Sequence, residues 1–270
     1  MIRAAGRDDL EAITLLLVRS NDQPYDIAPV AEEKCFGEGM AGPPAVQVYE
    51  DQGELRGVVV TCGRYLRLIA VHRDFRRRGI GSELMRQAAE QTHVIFAEAG
   101  NYFTPGIVES DSGTIAFFQR HGYQEPRWTQ NLEASDLPET MPSGVARAIP
   151  GDQERVLGFV EREFGRIWRF ETAKAFTRDP PPVVFTEKAG EITGFAAYDV
   201  NNVGLGFFGP TGIVRALRGR GIGRKILLAS LADLRRRGYQ RVVIPWTDAL
   251  DFYRKSCHAE VTHRFLSLTR

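Results

Sequence analysis

The feature that most constrains this chain is that it contains itself twice. Arg76-Arg77-Arg78-Gly79-Ile80-Gly81 recurs as Arg218-Gly219-Arg220-Gly221-Ile222-Gly223. Upstream, Arg3-Ala4 and Asp8 have counterparts in Arg147-Ala148 and Asp152; downstream, Phe117-Phe118 has one in Phe252-Tyr253. The landmarks keep their order at a nearly constant spacing of about 140 residues, too long for a solenoid unit, so each copy must bury its own core. A chain of 270 residues accommodates two such domains. The downstream landmark is displaced by about seven residues less than the others, which puts an insertion in the first copy, within 101–113. Residues 133–144 carry Pro138, Pro142, Ser135, Ser143 and Gly144 without an apolar period and read as a linker. The expected domains are 1–134 and 145–270.

Within the first copy, Leu10, Ile13, Leu16 and Leu17 predict a helix over 8–18, and Leu84, Met85, Ala88 and Ala89 another over 81–91. β-rich runs predict strands at 45–49, 55–62, 65–71, 93–97 and 123–132, with a hairpin at Asp51-Gln52-Gly53 and a short helix at 112–120. The second copy repeats the plan, with helices at 153–163, 223–237 and 248–256. Its strands fall at 183–187, 194–200, 204–214, 240–246 and 261–268. Hairpins mixed with helical crossovers predict an α/β fold, a mixed sheet flanked by helices in each copy.

Composition excludes several classes of function. Hydrophobic residues make up 43% and charged residues 26%, the balance of a soluble globular protein. The 35 Lys and Arg face 34 Asp and Glu, a net charge of +1 that supplies no field for nucleic acid or an anionic membrane. Arg235-Arg236-Arg237 ends a predicted helix, where cations complement the dipole and stay solvated. The uncharged apolar run at 12–18 is far short of the ~20 residues of a membrane span. Asp8 and Asp9 stand where a signal peptide would place its apolar core. Cys35, Cys62 and Cys257 are odd in number and widely spaced, and the five histidines are scattered, which argues against a disulfide framework or a metal site. These features predict a cytoplasmic, metal-free protein.

In both copies the glycine-rich segment lies between a strand and an amphipathic helix. Its glycines let backbone approach a ligand, and the helix start exposes amides that suit a phosphate or diphosphate. The same spacing also suits a tight turn with no ligand. A Rossmann fingerprint fails for want of a third glycine, since Gly81 is followed by Ser82, Glu83 and Leu84. The P-loop spacing fails as well, because Gly219 and Lys225 are not separated as G-x-x-x-x-G-K requires.

Strand, R-x-x-G-x-G, helix resembles the coenzyme A motif (Q/R-x-x-G-x-G/A) of the GNAT superfamily of N-acetyltransferases. The resemblance covers both copies. It implies two tandem GNAT-like domains, each a mixed, splayed β-sheet flanked by helices, with acetyl-CoA as co-substrate. The implied cofactor contacts in the first copy are Val71, Arg76, Arg77, Arg78, Gly79, Ile80 and Gly81. Those in the second copy are Ile213, Val214, Arg218, Gly219, Arg220, Gly221, Ile222 and Gly223. A backbone N–H near Ile213, which aligns with Val71, is implied to meet the thioester carbonyl. Pro210 and Pro245 fall in the strands flanking the second motif helix, and prolines that cannot donate ladder bonds fit either a pair that parts there or strands that end early.

Acetyl transfer needs a neutral amine, a stabilised oxyanion and a proton for the departing thiolate. GNAT enzymes often draw that proton from a tyrosine in an F-Y-x-K pattern. Phe252-Tyr253-Arg254-Lys255 matches it, whereas Phe117-Phe118-Gln119-Arg120 has no hydroxyl at Phe118. The resemblance therefore implies a catalytic second copy with Tyr253 as general acid and a non-catalytic first copy, while Tyr253 also suits a core aromatic with its hydroxyl at the surface. Asp199 and Asp248 are candidate bases, though each equally suits a solvated or helix-capping carboxylate. Cys257 lacks a cationic partner that would make it a nucleophile. The segment Asn101-Tyr102-Phe103-Thr104-Pro105-Gly106 suits a substrate pocket or an ordinary packed loop. The whole arrangement resembles bacterial tandem GNAT proteins akin to glucosamine or glucosaminide N-acetyltransferases, which implies a small-molecule acceptor, the amine of an amino sugar. Two alternatives stay open, a peptide or polyamine acetyltransferase and a non-catalytic acyl-CoA sensor. Cys257-His258-Ala259 departs from the glycine-containing turn usual after F-Y-x-K.

Overall fold

A computed structural model describes residues 1–270, which divide into two compact units, Met1–Thr129 with His263–Arg270, and Gln130–Thr262. In the first unit β1 (Ile2–Ala4), β2 (Ala45–Asp51), β3 (Glu54–Cys62) and β4 (Tyr65–Val71) pair antiparallel in that order. The last of these then pairs in parallel with β5 (Val94–Ile95). Helices α1 (Leu10–Ser20) and α2 (Ala31–Phe36) lie between β1 and β2, and α3 (Ile80–Ala88) is the crossover from β4 to β5. There follow β6 (Ile107–Val108), α4 (Ser112–Arg120) and β7 (Glu125–Ala134). Ile80, Leu84, Met85 and Ala88 form the buried stripe of α3 and pack with Leu66, Ile95, Ile107 and Phe118. The helix lies so close to the sheet that a Cβ on Gly57 would stand 2.8 Å from Leu84 Cδ1.

The second unit repeats the plan. Its antiparallel order is β8 (Ala146–Arg147), β9 (Val183–Lys188), β10 (Glu191–Tyr198), β11 (Phe208–Ile213). Helices α5 (Gln153–Phe164) and α6 (Arg166–Ala173) precede β9, and α7 (Ile222–Arg236) follows β11. Next come β12 (Val242–Ile244), α8 (Leu250–Cys257) and β13 (Glu260–Thr269). Apolar clusters line both faces of the sheet, one with α7 and α8, the other with α5. Gly194 stands where Gly57 stands in the first unit; its Cβ would lie 2.5 Å from Ile213 Cδ1.

The repeat copies and the compact units do not contain the same residues. The end of β13 belongs to the first unit, where Phe265 and Leu266 pair with Val108 and Ile107, and Thr269 with Val94. The end of β7 belongs to the second, where Leu132 and Ala134 pair with Ile244 and Val242. The boundaries 1–134 and 145–270 thus follow the repeat, while the compact units take their last strands from opposite copies. Periodicity identifies a strand but not its partner. Other expectations shift by less. The strands at 93–97 and 240–246 shrink to two and three residues, while α2 and α6 are additions. No helix is long and apolar enough to cross a membrane.

The three arginines ending α7 are exposed, as their sequence suggests, and each is also paired. Arg236 and Arg237 bond the buried carboxylate of Asp233, and Arg235 donates to the Leu137 carbonyl at 2.6 Å and pairs with Glu139.

Candidate active site

Both glycine loops begin where a central strand ends. In the first unit Gly79 (φ +86°) caps α3, whose opening amides, on Ile80, Gly81 and Ser82, have no partner within the helix. In the second, Gly219 (φ +77°) and Gly221 (φ +78°) turn the chain into α7. The first unit places Arg77 at φ +63° where the second has Gly219, so only one copy has the freer residue there. The second glycine of each motif faces an aromatic ring, tightly at Gly81 and at ordinary contact distance at Gly223. A Cβ on Gly81 would lie 3.3 Å from the Phe117 ring, and one on Gly223 3.5 Å from Phe252.

The motif arginines divide into braces and free cations. Arg76 Nε donates to Val71 O and Arg218 Nε to Ile213 O, each at 3.2 Å, so both hold the turn rather than face a ligand with that atom. Arg78 lies over the Phe75 ring at 4.9 Å. Arg77 and Arg220 are exposed and form no ion pair.

The strand splay has a different cause in each unit. In the first, β4 meets β5 only at Tyr65 and Leu66, and the β3–β4 register then shifts between the Thr61–Leu66 and Val60–Leu68 pairs. Past Ile95 the chain turns away at Phe96 and Ala97, both at positive φ. In the second, β11 and β12 are joined by one parallel bridge, Phe207 to Val243. Pro210 sits within β11, where the register with β10 is irregular, and Pro245 follows the end of β12. The amides of His72 and Val214 bond Arg56 O and Thr193 O on the neighbouring strands, at 2.9 and 3.0 Å. Antiparallel alternation then turns the Val71 and Ile213 amides toward the opened edge.

The gap in the first unit is a cavity of about 710 Å3. Leu68–Val71 wall it, Gly79, Gly81 and Ser82 lie at the loop, and Phe96, Phe103 and Phe118 contribute rings. Phe103 and Thr104 of the inserted segment line it too, so the first-copy loop is part of a pocket. Donor amides at a helix start, the free cations Arg77 and Arg120 on the same lining, and an unpaired strand edge fit a ligand with a diphosphate and an amide-bearing arm.

In the second unit the Phe164 ring lies against β11, with two of its carbons 2.5 Å from the position of a Gly212 Cβ. It stacks on Trp168 at 5.1 Å and tilts against Phe195 at 5.5 Å. Gly212→Val is therefore expected to displace Phe164 and destabilise the unit by about 1–3 kcal/mol in urea unfolding. Tyr253 is buried on α8, edge-on to Phe208 and Phe252. Burial pushes its hydroxyl up to about 12, Cys257 adds to the rise, and a hydrogen bond with the Thr247 side chain opposes it. The aligned residue, Phe118, is wholly buried against Phe96, Phe117 and Tyr123.

Of the two candidate bases one is engaged and the other is free in solvent. Asp199 is buried with both oxygens engaged, Oδ2 by Arg178 at 3.0 Å and Oδ1 by the Gly204 amide at 2.8 Å, so it anchors the β10–β11 connection. Asp248 is exposed and does not cap α8; the Thr247 hydroxyl oxygen accepts the Ala249 amide instead. Cys257 is buried and its thiol is pushed up by desolvation, the opposite of an activated nucleophile.

A parted strand pair with a glycine loop opening a helix at its mouth, present twice, suits an acyl carrier with a diphosphate, and the family models give the class. The Acetyltransferase (GNAT) domain model matches residues 43–125, and the Acetyltransferase (GNAT) family model matches 152–259. The chain belongs to the GNAT acetyltransferases, with two such domains in tandem, and acetyl-CoA is its acetyl donor. It is 28% identical over 262 residues to a mycothiol acetyltransferase of Thermobispora bispora, covering 87% of this chain and 86% of that protein. Among solved structures it resembles the glucosamine N-acetyltransferase region of a fungal multi-domain GH3 beta-N-acetylglucosaminidase, with a TM-score of 0.82 at 17% identity. That match covers 100% of this chain and only 38% of the longer one. A GCN5-related N-acetyltransferase from Sphaerobacter thermophilus gives 0.73 at 22% identity, covering 100% and 95% of the two chains. A tandem GNAT protein from the clavulanic acid biosynthesis pathway gives 0.68 at 16%, covering 100% and 98%. At these identities the structures show a shared fold.

Proposed function

We propose that the second unit transfers the acetyl group to a primary amine, with the amine of an amino sugar as the acceptor class, and that the first unit holds acetyl-CoA without turning it over. The observation that carries this division is the pair Tyr253 and Phe118, aligned residues of which one has a hydroxyl to give. Tyr253 protonates the departing thiolate, and the Ile213 amide faces the thioester oxygen. A hydroxyl raised to about 12 carries its proton at neutral pH, as an ordinary phenol also does, so Tyr253 is present in its acid form. Asp199 is committed to Arg178 and Gly204. Asp248, exposed on the turn before α8, is the carboxylate left to take the amine proton through water. The fold shared with a glucosamine N-acetyltransferase region supports the amino-sugar class.

The test is free-thiol release with a panel of primary amines, amino sugars first. Tyr253→Phe should lower kcat on the order of 10²-fold with the KM for acetyl-CoA little changed. Unchanged turnover at saturating substrates would remove Tyr253 from the chemistry. Wild-type kcat should also stay flat from about pH 8 to about pH 10, since the acid keeps its proton until about 12. A descending limb centred near pH 10, where an ordinary phenol titrates, would contradict it.

A further inference from the structure

Two residues lining the cavity of the first unit carry buried oxygen atoms with no hydrogen-bond partner within the protein. Ser20 ends α1 and is 5% exposed, and its Oγ has no hydrogen-bond partner. Three other hydroxyls in and next to the helices bond the carbonyl four residues back, whereas Thr172 of α6, like Ser20, has no partner. Thr14 bonds Leu10 O at 2.8 Å, Ser230 bonds Ile226 O at 2.9 Å and Thr92 bonds Ala88 O at 3.0 Å. Ser20 forgoes that bond. Gln23 Oε1 is likewise buried without a partner, although its backbone N–H is held by Asn21 Oδ1 at 3.0 Å. Both residues line the same cavity as Ile69, Ala70 and Val71.

The segment that carries them is clamped. Arg76 of the glycine loop donates to Ser20 O at 2.8 Å and pairs with Asp22 at 2.7 Å. Arg73 donates to Asn21 O and to Asp22, each at 2.9 Å. Buried polar atoms left unpaired in a rigid wall are uncommon, and a cavity is where a ligand supplies the missing partner. A carboxamide oxygen needs an N–H donor, and a hydroxyl can give or accept. The arm of coenzyme A carries two secondary amides, each with one N–H and one carbonyl. Laid along β4 such an arm would meet the free edge on one side and these two oxygens on another. The second unit has no such pair, since the repeat aligns Ser20 with Phe164, whose ring packs on Gly212.

We propose that Ser20 and Gln23 are specificity-determining residues of the first unit and hydrogen-bond the secondary amides of the coenzyme A arm. This rests on the reading that the first unit holds the thioester. Calorimetric titration of coenzyme A into the full chain tests it, with Ser20→Ala, Gln23→Met and the double variant compared with wild type. Wild type should bind two equivalents. The double variant should bind one as before and the other at least tenfold more weakly. Its ligand-free Tm should be no lower than that of wild type, because no internal bond is removed. Two unaltered equivalents in the double variant would overturn the assignment and leave the reading of the first unit intact. One equivalent in wild type would overturn both. A fall in ligand-free Tm would show that the oxygens serve the fold, and would also overturn the assignment.

Discussion

A chain ending at Thr262 is expected to lose the first unit, Met1–Thr129, and keep the second. The eight residues removed include Phe265, Leu266 and Leu268, all buried, the last two packed with Ile95, Ile107, Phe118 and Tyr123 of the first unit. They also carry backbone partners of Val94, Ile107 and Val108, and Thr269 O accepts the Gln124 amide at 2.9 Å. Deleting one buried Leu or Phe side chain costs about 2–5 kcal/mol, and a whole domain is stable by only about 5–15 kcal/mol. Losing three such side chains, about 6–15 kcal/mol together, matches that margin, and the lost ladder adds to it. Limited proteolysis followed by mass spectrometry should show residues 1–129 digested and 130–262 protected. The milder Leu268→Ala should lower stability in urea by about 2–5 kcal/mol, with the loss confined to the first unit. Digestion of the second unit instead would mean that the repeat copies fold as contiguous domains.

That outcome also marks where the sequence stops being informative. The repeat, the strand at Tyr65–Val71, the helix at Ser112–Arg120 and both glycine loops are visible in the residues because periodicity and glycine spacing are local properties. Strand pairing is not local, so nothing in Phe265 or Leu266 tells that their partners are Val108 and Ile107. The splay is half legible. Pro210 points to it in the second copy, while the first copy achieves it with Phe96 and Ala97 at positive φ, which no residue type announces. At the site, a hydroxyl at Tyr253 and its lack at Phe118 are plain in the sequence. The commitment of Asp199 to Arg178 depends on a contact between the β10–β11 connection and the segment before β9, which spacing cannot show. The unpaired oxygens of Ser20 and Gln23 leave no sequence signal at all.

The same limit applies to Asp233, a lone acid among arginines whose sequence suggests surface charge. It is wholly buried on α7, and four side chains meet its carboxylate. Arg147 donates from β8 at 2.7 Å and Tyr198 from β10 at 2.8 Å, while Arg236 and Arg237 donate at 2.6 and 2.9 Å. Burial alone would raise the pKa of this carboxyl. The bonds from Arg237, Tyr198 and Arg147 more than offset it and hold the group below the usual carboxylate range. Asp233→Ala should therefore destabilise the second unit by about 3–5 kcal/mol, because three guanidinium groups lose the charge they were arranged around. Tyr198→Phe removes one bond and should cost about 1 kcal/mol. The sign of the pH effect follows from the depressed pKa. The Asp233 contribution is fully present above the unfolded-state value near 4 and is lost as pH falls through the lower folded value. Urea midpoints taken from about pH 7 down to about pH 3 should fall more steeply for wild type than for Asp233→Ala below about pH 4. Equal midpoints for the two proteins at neutral pH would show that α7 is held by its apolar face, Ile226, Leu227, Leu231 and Leu234, without the buried charge.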